Sequence, residues 1–324
     1  MAFSNTYNVT NPGSGVSNRE DLTDVLTILA PEETPVLSLA NKSKATATFN
    51  EWTVDVLATP SATGIQEGAD ISSFTDKFTG RARLGNYIQL FRRDFMVSQL
   101  QQAVESVGPA KIAEAEAKGV REIKRDMEKV LCGDQDRSVE DGSSARYVSR
   151  GLGLWTSNTP GSDVPSGFRT PTASIHGTGT LTENAFNGLI ASIYTQTGTV
   201  DKLSLVAGTV LRRTVSGFAR SDNNTNENVY HVNQMATDKE ITLAVNTYDS
   251  DFGIITVING NPACLPDSSR GYIINPDYLG VAELMSLGST RVPDQGGGQR
   301  GFVDAAAGLQ VFSPLAHGKI TVVS

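Results

Sequence analysis

Two cysteines, Cys132 and Cys264, and three histidines, His176, His231 and His317, are scattered through 324 residues. A disulfide framework is excluded by that count. One bridge stays open, with a reduced cytosolic chain the simpler reading. Zinc sites of the four-cysteine or two-cysteine, two-histidine kind need more ligands, closer together. No stretch approaches the roughly 18 apolar residues of a membrane-spanning helix. Met1 to Gly15 carries no charge and no apolar core, so no secretory signal is expected. Charge is scarce at 19% against about a quarter in ordinary domains. A basic excess is missing altogether: 27 Lys and Arg face 35 Asp and Glu, a net charge of −8. That argues against a sequence-specific DNA binder, though not against a surface that tolerates nearby DNA.

What is present is 39% hydrophobic residues with abundant Gly, Thr, Ser and Asn, a mix suited to strands, turns and long loops. At roughly 150 residues per domain the length predicts two domains. Residues 1–20 read as an extended arm. Leu22, Val25, Leu26 and Leu29 then have helical spacing, with Asn18 as N-cap and Pro31 as the stop. A short turn from Thr34-Pro35 to Ala40 follows. Residues 44–59 and 81–98 alternate as strands. They would form a long hairpin, joined by a polar loop of about twenty residues, beyond the usual hairpin length.

The clearest helix is 109–132. Eleven of its 24 residues are charged, with opposite charges four apart at Glu114–Lys118, Lys118–Glu122 and Lys124–Glu128. Its apolar stripe is narrow: Val120, Ile123, Met127, Val130 and Leu131. Gly119 costs about 1 kcal/mol relative to Ala, and Gly133 is a ready stop. Residues 133–180 are loop-rich around Gly151–Trp155. A second helix is expected from Thr182 to Gln196, with Phe186, Leu189, Ile190 and Ile193 inward. A strand over 202–207 and a short helix over 208–218 come next, then an exposed tip at 221–228. Strands 241–246 and 253–258 should form a hairpin around Tyr248–Asp251. Further strands are expected at 271–274, 280–285, 307–313 and 318–323, with 288–300 as a flexible loop. The class is mixed α+β.

No catalytic constellation emerges. Walker A and GxSxG patterns are missing. Gly151-Leu-Gly153 and Gly177-Thr-Gly179 read as turns, and His317 as a structural histidine. Asp134 with Asp136, and Asp249 with Asp251, lack calcium-loop spacing and read as solvated turns. Arg92-Arg93 and Arg212-Arg213 suit solvent or subunit contacts. The arm, long hairpin, charged rod and Gly-rich loop cannot satisfy themselves in one compact monomer. An isolated two-stranded hairpin is marginal in water. A covering partner is implied, most simply further copies of the chain.

The order of these elements resembles the HK97-fold major capsid proteins of tailed bacteriophages, most closely the SU10-type major head proteins. The resemblance rests on Asn18-Arg-Glu-Asp-Leu-Thr-Asp-Val-Leu26, Pro31-Glu-Glu-Thr-Pro35 and Lys44-Ala-Thr-Ala-Thr-Phe-Asn-Glu-Trp52. Gly85-Asn-Tyr87, Gly119-Val-Arg-Glu-Ile-Lys-Arg-Asp-Met-Glu128 and Gly308-Leu-Gln-Val-Phe-Ser-Pro-Leu-Ala-His-Gly318 complete it. It spans nearly the whole chain. It implies a structural, non-enzymatic virion protein without cofactor or metal, assembled in the host cytoplasm into hexamers and pentamers of an icosahedral head around dsDNA. A portal protein is an implied partner, with no membrane; the region before the arm is too short for a built-in scaffold, so the resemblance implies a separate scaffolding protein or none, with room for a decoration protein. Mapped here, 1–43 resembles the N-terminal arm and 44–98 the E-loop. Residues 99–169 resemble the peripheral domain with its spine helix 109–132, and 170–283 the axial domain. Residues 284–317 resemble returning peripheral strands, and 318–324 a strand rejoining the axial domain. Subunit-contact candidates are Trp52, Phe74, Arg92, Arg93, Glu122, Arg125 and Arg291. The alternatives are an encapsulin-like compartment, and an enzyme or binding module with an apolar pocket.

Overall fold

The computed structural model describes residues 34–71, 73–78, 80–103, 111–198, 202–218, 246–293 and 296–322. The arm, the helix expected over 18–31 and the tip at 221–228 lie outside them. Pro35 starts α1 (Pro35–Leu39), and β1 (Asn41–Lys44) follows. β2 (Phe49–Val54), β3 (Ala82–Tyr87) and β4 (Gln89–Ser98) come next, with α2 (Gln99–Ala103) and the long α3 (Lys111–Leu131). After α4 (Leu152–Trp155) come β5 (Ile175–His176), α5 (Glu183–Thr197), β6 (Ser204–Ala207) and α6 (Thr209–Phe218). The rest is strand: β7 (Thr247–Ser250), β8 (Gly253–Asn259), β9 (Arg270–Ile274), β10 (Leu279–Val292), β11 (Gly298–Val311) and β12 (Gly318–Thr321).

Two sheets organise these elements. The first has four strands in the order β1-β10-β11-β4. Helix α3 lies across it, setting Ile123, Met127 and Leu131 into a core with Phe91, Phe95, Val303 and Leu309. Gly119 belongs to that contact: a Cβ there would lie 3.3 Å from Val303 Cγ2, so the glycine lets helix and sheet approach. The second sheet has six strands, β5-β12-β9-β6-β8-β7. Phe186, Leu189, Ile190 and Ile193 of α5 and Leu211 and Val215 of α6 pack with it. Thr182 caps α5 by accepting the Ala185 N–H at 3.2 Å, and Gly198, at φ 71°, ends it. β2 and β3 form a separate two-stranded ribbon.

Several expectations are corrected. The stretch 81–98 is not one strand: β3 pairs with β2, but β4 leaves the ribbon and pairs with β11. β2 stops at Val54, so the connection runs over 55–81 rather than 60–80. Residues 288–300 are mostly strand, because Thr290, Arg291 and Val292 pair with Phe302, Gly301 and Arg300. Ser286 to Arg291 are exposed, so the two-residue alternation that reveals a half-buried strand is absent there. The hairpin expected at 241–246 and 253–258 is displaced. Tyr248 to Ser250 form strand, not turn, with Tyr248 packed edge-on against Phe186 at 5.1 Å. Most of the expected first strand, 241–245, lies outside the described residues. Among the described residues, the carboxylate of Glu128 does not face Lys124; it turns inward. Asp134 and Asp136 are likewise not free in a solvated turn: Asp134 meets Arg270 and Lys319, and Asp136 meets Arg150, whereas Asp249 and Asp251 are exposed.

Between the sheets runs 132–174. Arg150 is buried there, gripped by Asp163 at 2.7 and 3.0 Å and Asp136 at 2.7 Å, with Trp155 4.8 Å beneath it. Asn86 of β3 donates to the carbonyls of Arg150 and Leu309 and accepts the Arg150 N–H. The Tyr272 hydroxyl of β9 donates to the Cys132 carbonyl at 2.7 Å. β10 crosses the expected 283/284 boundary as one strand, with register shifts between Glu283 and Met285 and between Met285 and Gly288, and is already paired in the four-stranded sheet from Leu279. Residues 175–274 and 318–321 supply the six-stranded sheet.

Candidate assembly surfaces

The root of the β2–β3 ribbon is anchored. Trp52 stands 5.9 Å from Trp155 and 6.3 Å from Phe312 by ring centroids. Phe49 lies 4.6 Å from Tyr87, with Arg137 above it. Gly85 makes this possible, since a Cβ there would meet Phe49 at 2.6 Å. Arg81 closes the neck on Asp55 at 2.8 Å and sits over Phe78. Its bond holds the Asp55 carboxyl below the usual carboxylate range.

Beyond the neck the loop presents apolar side chains to solvent. Leu57 is 97% exposed, Ile65 87%, Ile71 71% and Phe74 89%. Monomeric soluble proteins rarely expose apolar groups so densely. The sequence reading saw this loop as polar because its aliphatic and aromatic residues are isolated among Ser, Thr, Asp and Gly.

A second surface is the four-stranded sheet on the side away from α3. Leu90, Arg92 and Met96 of β4 are exposed there, and Arg92 covers Phe302 at 4.5 Å while facing Asp304 at 3.6 Å. The outer face of α3 is the third. It is stitched to the sheet by Arg93, bidentate on Asp126 at 2.7 and 2.8 Å, and by Arg291 on Glu116 at 3.1 Å. The Asp126 bond raises the Arg93 pKa.

The seven contact candidates thus do not converge. Phe74 stands on the loop and Arg92 on the open sheet face. Arg93, Glu122, Arg125 and Arg291 gather around α3, and Trp52 packs within its own chain. The Arg125 carbonyl accepts the Cys264 thiol at 3.4 Å. Sequence reasoning missed Glu128, Asn86 and Arg150. Glu128 is 1% exposed, and its oxygens accept the Val36 and Leu37 N–H groups at 2.9 and 2.8 Å. Burial pushes its carboxyl up despite those bonds. It stands at the edge of the apolar stripe, where periodicity does not separate a buried acid from a solvated one.

His317 is wholly buried; it accepts the Asn275 N–H, and burial lowers its pKa to about 4. Cys132 and Cys264 are buried free thiols, both pushed up by burial, Cys264 to about 11. Among the described residues no cluster of three metal-ligating side chains occurs, and no helix is long and apolar enough to cross a membrane.

The sequence profile of the SU10 major capsid protein family matches residues 3–324. No curated protein matches. Among solved structures, the capsid of a native GTA particle aligns with TM-score 0.64 at 11% identity, covering 100% of both chains. The cyanophage A-1(L) capsid gives 0.64 at 16% identity, over 98% of this chain and 99% of that one. Gordonia phage Cozz gives 0.61 at 12%, over 96% and 93%. At these identities the likeness is one of fold.

Proposed function

This chain belongs to the SU10 major capsid protein family, a family of structural, shell-forming, non-enzymatic proteins of phage particles, and we propose that its copies form hexamers and pentamers of an icosahedral head enclosing dsDNA. The observation that carries the reading is the anchored ribbon with its apolar loop. A rigid root holds hydrophobic side chains in water, where only a neighbouring copy covers them repeatedly. In this reading 1–43 is the N-terminal arm and the β2–β3 ribbon with its loop is the E-loop, shortened from the expected 44–98 because β4 joins the four-stranded sheet. β4, residues 99–169 and 279–317 form the peripheral domain, and 170–278 with 318–324 the axial domain. Phe74 and Arg92 meet neighbours directly. Arg93, Glu122, Arg125 and Arg291 hold α3 in the position that neighbours meet, and Trp52 fixes the E-loop root. Assembly takes place in the host cytoplasm, with a portal protein and separate scaffolding and decoration proteins as partners. DNA is enclosed without sequence-specific contacts, consistent with the net charge of −8.

The test is deletion of residues 61–79. The subunit should keep its fold by circular dichroism yet form no closed shells by negative-stain microscopy, under conditions where the intact chain assembles. Normal shells from the deleted chain would overturn the E-loop role.

A further inference from the structure

The junction between the two sheets holds a cavity of about 290 Å³ that the shell function does not use. One wall is the sheet itself, with Arg270 of β9, Lys319 and Thr321 of β12 and His176 of β5, which pairs with β12 and bonds the Thr321 carbonyl at 3.0 Å; Thr156 to Asn158, after α4, and Thr178 complete the lining. Among the described residues no carboxylate lines it, in a chain that is acidic overall. Asp134, just outside the lining, takes one donor from Arg270 and one from Lys319. A donor remains. Lys319 gives a second N–H to the Gly153 carbonyl at 2.9 Å, leaving its third without an acceptor among the described residues. Arg270 also bonds Tyr272 and its Nε is shielded from water, so it contributes charge to the cavity rather than a free donor. Two cations on the sheet wall, hydroxyls and an amide in the rest of the lining, and one carboxylate behind leave a net positive, donor-rich cavity.

We propose that this cavity binds a small oxyanion of the phosphate class. A tetrahedral oxyanion accepts several hydrogen bonds at once. Lysine and arginine are the usual phosphate partners, lysine as a point charge and arginine as a fork. The cavity is open to solvent on one side, and its volume suits a small ion with a few waters. Asn158 follows α4, which packs with the first core, whereas Arg270 and Lys319 belong to the six-stranded sheet. An ion held by both parts of the lining therefore ties the two units of one chain together, whether or not the chain has assembled.

The experiment is calorimetric titration of the full, unassembled chain with inorganic phosphate, at constant ionic strength set by potassium chloride, with acetate in parallel. The expected result is saturable binding of one phosphate per chain and a Tm that rises with phosphate by about 5 °C near a hundredfold excess over Kd. Acetate should bind at least tenfold more weakly. Thr178 and Asn158 are exposed, so Thr178→Glu and the isosteric Asn158→Asp place a carboxylate at the cavity without disturbing the core. Each should weaken phosphate binding at least tenfold with an unchanged Tm in chloride. No saturable heat, acetate binding equal to phosphate, or wild-type affinity in Asn158→Asp would overturn the assignment.

Discussion

Replacing Glu128 by alanine tests the packing of α1 on α3 at a single point. Val36 and Leu37 are the second and third residues of α1, where N–H groups have no partner within the helix. Both donate to the Glu128 carboxylate. A buried donor left unsatisfied costs about 1–3 kcal/mol. Val36 is fully buried, while Leu37 is only half-buried and recovers part of its loss from water. Removing the acid also relieves its own burial penalty. Glu128→Ala should therefore destabilise the subunit by about 2–4 kcal/mol at neutral pH. Urea denaturation of the unassembled chain reads this directly. A loss under about 1 kcal/mol would refute the reasoning. The pH dependence supplies a second check. Burial raises the folded-state pKa of Glu128 above its ordinary value of 4.5. Between 4.5 and the raised value the folded chain binds more protons than the unfolded one. This group's contribution to stability is thus greatest below pH 4.5 and declines as pH rises through the folded pKa. Glu128→Gln cannot titrate, so its stability should lack that decline. The penalty of Glu128→Gln should be larger in acid than at neutral pH, and the opposite trend would contradict the raised pKa.

Arg150→Ala leaves Asp136 and Asp163 facing the space of a lost buried cation. It should cost about 3–5 kcal/mol in urea denaturation. Burial tends to raise the Asp163 carboxyl, but the Arg150 bonds outweigh it and hold it below 3.8. In wild type that contribution is present above pH 3.8 and lost as pH falls through the lowered value, and Arg150→Ala should reduce this acid sensitivity. Gly85→Ala sets a methyl 2.6 Å from Phe49 and forces the ring aside. A stability loss of about 1–3 kcal/mol is expected, with increased protease cleavage at the ribbon root; unchanged cleavage would show that Phe49 moves freely.

The helices were legible in sequence because each carries one clean signal. α5 shows four apolar residues at helical spacing and a threonine cap, and the structure reproduces both. α3 shows its stripe but not its acid: Glu128 and its exposed neighbours are alike in composition and differ only in what lies opposite. Strands were legible where they are buried, as in the continuous apolar run of β9, and lost where both faces are wet, as in β10 beyond Met285. The ribbon was visible as two alternating runs, but its break at Ile88 was not. Alternation continues through that residue while the hydrogen-bonding partner changes from β2 to β11, and pairing partners distant in sequence leave no local trace. The same holds for Asn86 and Arg150, whose partners across the fold lie 13 to 223 residues away.

Strand order has a consequence for synthesis. In the four-stranded sheet the two inner strands, β10 and β11, come late in sequence, and the edges β1 and β4 come early. In the six-stranded sheet β12 is wedged between β5 and β9. A nascent chain therefore carries its edge strands out of the ribosome long before the strands that join them. Asn41 waits for Gly280, and Ile175 waits for Lys319. Neither sheet can close during most of translation, and the apolar ribbon loop emerges while its own root is still unsupported by Leu309 and Phe312. Copies on one message are thus kept from meeting as finished subunits until they are nearly complete, so the timing of association is written into the connectivity.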